Sequence, residues 1–281
     1  MAIDYSGIPP VPTNVPTSAR AYGWMLGGTD HFAVDRQFLL NVLPTFPECV
    51  DIARQNRQFL YRAVRYLARD AGIRQFVDMG CGLPTDNNVH QVAKTFAPDA
   101  RVVYVDVDPI VLAHGEALLT DRSTAVITAD IRDQDAVLDH PDFRRLIDFS
   151  QPMAVLFFGV PHYIADADDP RRVLRTIVDR TISGSFLAVS HVVADDPGTA
   201  SEMCAHISAA GIPWHTRVPS QVDAFVDGLE PVEPGLVNVE NWRPDPSQPP
   251  LPRPDQALAG HLGVTKYSRD VYEYGGVLRK P

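Results

Sequence analysis

Residues 77–85 read Val-Asp-Met-Gly-Cys-Gly-Leu-Pro-Thr and close a short β-rich run at 74–79. Glycines directly after a first strand let the backbone turn sharply and approach a ligand closely, which a residue carrying a Cβ does less readily. A polar helix start follows at Asp86, Asn87 and Asn88, and a second β-rich run, 101–106, ends on Asp106. Two strands with a helix between them form a βαβ unit. A plain strand-to-helix link has the same glycines, so the functional reading rests on the acids around them.

The alternation extends in both directions. Upstream, 47–71 places Leu60, Ala63, Val64 and Leu67 on one helical face, and Gly72 stops it. Downstream the pattern predicts a helix at 109–119, a strand at 125–128, short helices at 133–138 and 141–147, and a buried strand at 153–158. Asp169 before Pro170 marks an N-cap and a first helical position, with the helix running to about 182. A strand at 185–193 and a helix at 199–210 follow. Near-continuous apolar strands are what a parallel sheet covered on both faces requires. Strands at 236–242 and 271–278 have only a proline-rich loop between them, so they are expected to pair antiparallel. The fold class is therefore α/β, Rossmann-like and mostly parallel, with helices on both faces. Residues 1–17 carry four prolines and read as an extended arm, 18–72 as a helical lid segment, and 73–281 as the ligand-binding domain. The domain contains a proline-rich loop at 243–258, with six prolines in 244–254.

With 281 residues, 45% hydrophobic and 21% charged, the chain can bury a sizeable core. Its 25 basic and 35 acidic residues leave a net charge of −10, and its lysines are Lys94, Lys266 and Lys280. Phosphate neutralisation needs clustered cations that are missing here, which argues against nucleic-acid and anionic-membrane partners. Cys49, Cys81 and Cys204 are widely spaced and odd in number, suggesting neither a disulfide framework nor a zinc site, and a cytoplasmic setting. The longest apolar stretch, 153–160, is too short to span a bilayer.

Asp78 precedes Gly80 by two residues, and Thr85 stands where a dinucleotide fingerprint has its third glycine. This D-x-G-x-G pattern is common in S-adenosylmethionine sites, because the carboxylate meets the ligand's ammonium. Gly80, Cys81 and Gly82 form the turn. Asp106, with Val107 beside it, ends the next strand, where a carboxylate accepts both ribose hydroxyls. Asp130 ends the third strand as a candidate acceptor for an adenine amino group, with Ile131 covering the ring. Asp108 reads as a helix N-cap.

These residues resemble the S-adenosyl methyltransferase family of actinobacteria, a class I methyltransferase group once filed under unknown function. The resemblance is carried by 19–28, 56–60, 62–67, 76–85, 103–106, 168–170, 242–245 and 274–277. It implies a seven-stranded sheet with an antiparallel last strand and S-adenosylmethionine as methyl donor. The chain departs from the family pattern at 29–32, where it reads Thr-Asp-His-Phe, at Gly23 and at Cys81.

Methyl transfer is an in-line displacement, so positioning and water exclusion matter most, and a base is needed only where the nucleophile carries a proton. The fourth strand delivers Gly159 and, just beyond, His162 and Tyr163 to the rim. His162 is the candidate base or substrate hydrogen-bond partner with Tyr163 beside it, the alternative being a structural histidine. His191 reads as buried in the sheet. Asp166, Asp168 and Asp169 read as capping residues rather than as a metal site. Tyr22 and Gly28 lie in a segment suited to cover the cofactor, and the proline-rich loop is expected to start on the same rim and carry His261, Lys266 and Tyr267. The function read from this is methyl transfer to an O, N or C atom of a small molecule, in the manner of secondary metabolism. The alternatives are a non-catalytic S-adenosylmethionine-binding regulator or scaffold and, disfavoured by Thr85, a nicotinamide oxidoreductase. A homodimer is left open.

Overall fold

The computed structural model describes residues 12–118, 122–268 and 270–281, with the side chains of 116–118 left out. Most of the expected extended arm, and Leu119 at the expected end of a helix, thus lie outside the described residues.

Three helices lead into the sheet: α1 Ser18–Met25, α2 Ala33–Val42 and α3 Cys49–Arg65, the last prolonged by a π-helical turn and stopped at Gly72, whose φ is +72°. Then come β1 Gln75–Met79, α4 Val89–Phe96, β2 Arg101–Asp106, α5 Pro109–Leu118, β3 Thr124–Thr128, α6 Gln134–Asp139, α7 Pro141–Leu146, β4 Ala154–Phe157, α8 Pro170–Arg180 and β5 Phe186–Ala194. The chain continues through α9 Pro197–Ala209, α10 Pro219–Val226, β6 Glu230–Pro231, β7 Val237–Asn238 and β8 Val271–Arg279. The sheet order is β3-β2-β1-β4-β5-β8-β6, with β7 also pairing β8. Strands β1 to β5 are parallel, and β8 runs antiparallel to β5 from Phe186↔Arg279 to Ala194↔Val271.

Side chains alternate across the sheet. Val77, Val103, Val155 and Leu187 face α6, α7 and α8, whereas Phe76, Val102, Leu156 and Ala188 face α3 and α4. A third cluster joins α1, α2 and the start of α3 to the end of β5 and to α9. The predicted caps are present: Asp169 accepts from Arg172 N at 3.0 Å, and Asp108 from Ile110 N at 3.1 Å.

The expected strand 236–242 shrinks to Val237–Asn238, followed by a 3-10 turn at Val239–Asn241. Val239 and Trp242 are fully buried against α3, and Arg62 takes their carbonyls at 2.6 and 2.8 Å, which diverts the backbone from the ladder. Helix α10 and strand β6 had no periodicity strong enough to read in advance.

Arg20 and Asp35 form an ion pair at 2.8 Å with both side chains fully buried. Asp35 also accepts from Thr17 N at 3.0 Å and Phe32 N at 2.7 Å, so one carboxylate ties the entry to α1, the turn and α2 together. Removing one partner of such a pair leaves an uncompensated buried charge. Arg20→Met is expected to cost about 3–5 kcal/mol in urea unfolding, and a loss within the noise of a surface substitution would contradict this role.

Candidate functional site

The turn after β1 is built by backbone geometry. Gly80 and Gly82 have φ of +79° and +66°, and Gly80 N and Cys81 N both donate to Val105 O, at 2.7 and 3.2 Å. A Cβ on Gly80 would lie 2.7 Å from Val160 Cγ2, so the backbone approaches β4 where a side chain has no room. This bend opens a cavity of about 360 Å³ at the carboxyl ends of β1 to β4, roofed by α1 and α3. Asp78, Gly80, Cys81, Gly82, Asp106, Val107, Asp130, Ile131 and Gly159 all line it, as do Tyr22 and Tyr163.

The acids differ in their restraints. Asp106 accepts from Gly82 N at 2.8 Å and Asp108 N at 2.9 Å, one bond on each carboxylate oxygen. Its burial raises the carboxyl while these N–H groups oppose the rise. Asp78 is pushed up to about 7 by burial, against the pull of Arg57 and with a further push from Asp106. Arg57, itself buried, binds Asp86 O and Asn88 Oδ1, both at 3.0 Å, while its Nε has no hydrogen-bond partner among the described residues. Asp130 is gripped by Arg132, whose Nη2 lies at 2.5 Å, and this contact holds its carboxyl below the usual range. Arg132 also reaches Asp168 at 3.1 Å. Val107 is 67% exposed, an apolar surface presented to the cavity beside Asp106.

A second, smaller chamber of about 60 Å³ lies behind the first, under α1, α2 and α9. Ser18, Tyr22, Asn56, Gly159 and Tyr163 line both. His162 lines only the inner chamber. It is 2% exposed, its ring centroid lies 4.0 Å from that of Trp214 and 4.4 Å from that of Tyr163, and its Nδ1 is 3.4 Å from Val192 N. Burial holds it well below the usual histidine range, so it is a neutral backbone acceptor withdrawn from the large cavity. His191, fully buried, donates from Nδ1 to Val192 O at 2.7 Å and accepts at Nε2 from Arg217 at 2.9 Å, a structural role.

Tyr22 accepts from Asn56 Nδ2 at 3.1 Å and donates to Ala53 O at 3.0 Å. Gly28 is placed elsewhere: it lines neither cavity, and its N–H closes the turn after α1 on Gly23 O at 2.9 Å. The proline-rich loop is not on the rim. It packs along α3, where Arg65 pairs with Asp245 and Gln248 Nε2 donates to Gln58 O at 3.0 Å, and Tyr267 beyond it is exposed. Neither His261 nor Lys266 lines either cavity.

Sequence reasoning missed Asn56, Arg57 and Glu273. The first two are polar residues interrupting the buried face of α3, and Glu273 is an isolated acid among the apolar and aromatic residues of β8. Glu273 is 1% exposed, and burial pushes its carboxyl up to about 8. Those interruptions were the available signal.

The cavity fits S-adenosylmethionine: a glycine cradle where a Cβ would collide, an unpartnered buried Arg57 Nε, and two buried acids spaced along it. The sequence profile of the S-adenosyl methyltransferase family matches residues 7–281. The crystal structure of an inferred methyltransferase from Thermobifida fusca YX is 40% identical, with 95% of each chain covered and a TM-score of 0.80. That of a DUF574-family protein from Streptomyces avermitilis MA-4680 is 34% identical over 96% of this chain and 99% of that one, with a TM-score of 0.83. No curated protein matches. No helix among the described residues is long and apolar enough to cross a membrane. The chain belongs to the S-adenosyl methyltransferase family and is an S-adenosylmethionine-dependent methyltransferase with a Rossmann-like fold.

Proposed function

We propose that this methyltransferase acts on a small molecule, with the large cavity as the donor site. The observation that carries this reading is the juxtaposition of a cavity lined by Asp78 and Asp106 with a smaller, mainly apolar chamber sharing its wall at Gly159. Asp106 offers its remaining lone pairs to the ribose hydroxyls, and Val107 and Ile131 supply apolar surface for the adenine. Asp130 lies nearby with Arg132 bound to it, so an adenine amino group there meets an ion pair rather than a free carboxylate. Asp78 offers a carboxylate to the ligand's ammonium, and the free Nε of Arg57 a donor to its carboxylate. When bound, S-adenosylmethionine supplies an electrophilic methyl carbon on a sulfonium. The protein's part is to orient the acceptor and exclude water, which the apolar residues around the inner chamber favour. The small size of that chamber and the acidic net charge both favour a small acceptor over a nucleic acid.

Calorimetric titration with S-adenosylhomocysteine tests the donor site. The wild type is expected to bind, and Asp106→Ala to bind roughly ten- to hundredfold more weakly, the worth of hydrogen bonds to a charged group, while Arg69→Ala on the surface leaves affinity unchanged. No binding by the wild type overturns the reading. Turnover is followed as loss of the labelled methyl group to a panel of small acceptors.

The pH dependence has a defined sign. Asp78, with its carboxyl near 7, is protonated at pH 6 and offers no charge to an ammonium, whereas at pH 8 it is ionised. Affinity for S-adenosylhomocysteine should therefore rise between pH 6 and 8, and Asp78→Asn should remove most of that rise. An unchanged slope in the variant would place the ammonium elsewhere.

A further inference from the structure

We propose that the inner chamber is the acceptor site, that it takes a single-ring aromatic molecule bearing one hydroxyl, and that Glu273 binds that hydroxyl. The proposal rests on the methyltransferase reading of the neighbouring cavity and deepens it.

The chamber's size bounds its occupant. At about 60 Å³, against the roughly 150 Å³ of an engineered cavity that takes benzene, it admits nothing larger than one six-membered ring, and that only as its side chains draw back. Phe38, Phe46, Tyr163 and Trp214 line it together with aliphatic groups of α1, α3 and α9, so the walls suit a flat apolar body.

Its polar end is narrowly defined. Asn56 Nδ2 donates to Tyr22, Asn56 Oδ1 accepts from Ser190 Oγ at 2.7 Å, and Ser190 Oγ in turn accepts from Gly159 N at 2.8 Å. The hydroxyl of Tyr22 is spent on Ala53 O, and Nδ1 of His162 faces Val192 N. Glu273 is left with an unmet oxygen. Its carboxyl stands beside the Ser190 hydroxyl, but Oε1 is buried with no hydrogen-bond partner among the described residues. A buried oxygen left in that state is costly, and a ligand hydroxyl in the chamber satisfies it.

The position of Glu273 relates the two cavities. On β8 it is paired with Val192 of β5, and Oε1 lies 3.8 Å from where a Cβ on Gly159 would sit. Gly159 is the residue whose bare backbone borders both spaces, and a Cβ there would come within 2.7 Å of Asn56 Nδ2. A hydroxyl bound at Glu273 Oε1 is thus held at the wall facing the donor site. In its ionised form Glu273 also receives the hydroxyl's proton at Oε1, leaving the acceptor oxygen as the nucleophile.

The test uses the full chain saturated with S-adenosylhomocysteine, titrated with phenol and separately with toluene, with binding followed by saturation-transfer NMR. Wild-type protein should bind phenol at least as tightly as toluene, although toluene has the larger hydrophobic driving force. At pH 9, where Glu273 is ionised, Glu273→Gln should weaken phenol about tenfold and leave toluene within twofold, which also reports that the variant is folded. Ile207→Phe, which fills the chamber from α9, should abolish both while S-adenosylhomocysteine affinity stays within twofold. The proposal is overturned if the saturated wild type binds no phenol, if it prefers toluene, or if Ile207→Phe binds phenol as the wild type does. Phenol binding that depends on Glu273 in a protein that binds no S-adenosylhomocysteine would keep the chamber and overturn the donor reading instead.

Discussion

The chain of hydrogen bonds from Gly159 N to Ser190 Oγ to Asn56 Oδ1 ties the sheet to α3 at the border of the two cavities. It joins the end of β4, the middle of β5 and the buried face of α3, elements far apart in sequence. The Ser190 hydroxyl, fully buried, both accepts and donates, so the backbone N–H that leaves the ladder at Gly159 is satisfied away from water. The link needs a glycine at 159, because a side chain there would press on Asn56. Donor cavity and inner chamber meet at this point, and their common wall follows from it.

Around that link, acids with little exposed surface line the two cavities. Asp78, Asp106 and Glu273 are all buried, yet each is restrained differently. Asp106 has backbone N–H groups on both oxygens, Asp78 has Arg57 within its field, and Glu273 has an oxygen without a partner. Burial alone moves all three carboxyls upward, and the partners decide how readily each ionises. The acidic net charge first suggested only what the chain does not bind. A few of its acids line the cavities, while others such as Asp139, Asp142 and Asp179 sit in surface pairs with arginines and contribute little.

The differences between sequence reading and structure share a cause. His162 stands next to the rim in sequence, but the 3-10 turn at Pro161–Tyr163 directs its ring against Trp214, some fifty residues later in the chain. The strand expected at 236–242 has the right residues, but Arg62 from α3 claims its carbonyls. The proline-rich loop leaves β7 as expected and then lies on α3, held by Arg62 and Arg65. In each case a side chain distant in sequence decided the outcome, and no local pattern contains it.

By itself the sequence determined what depends on near neighbours: the strand periods, the helix caps at Asp108 and Asp169, the left-handed turn at Gly80 and Gly82, and the acids that end successive strands. These are legible because turn geometry and side-chain alternation are set within a few residues. Tertiary structure decided which polar residues are buried, which are already satisfied, and which face a cavity. Asn56, Arg57 and Glu273 line the cavities, and His162 and Gly28 do not line the large one, because burial and hydrogen-bond satisfaction depend on every element packed around an atom. A linear pattern records only the elements adjacent in the chain.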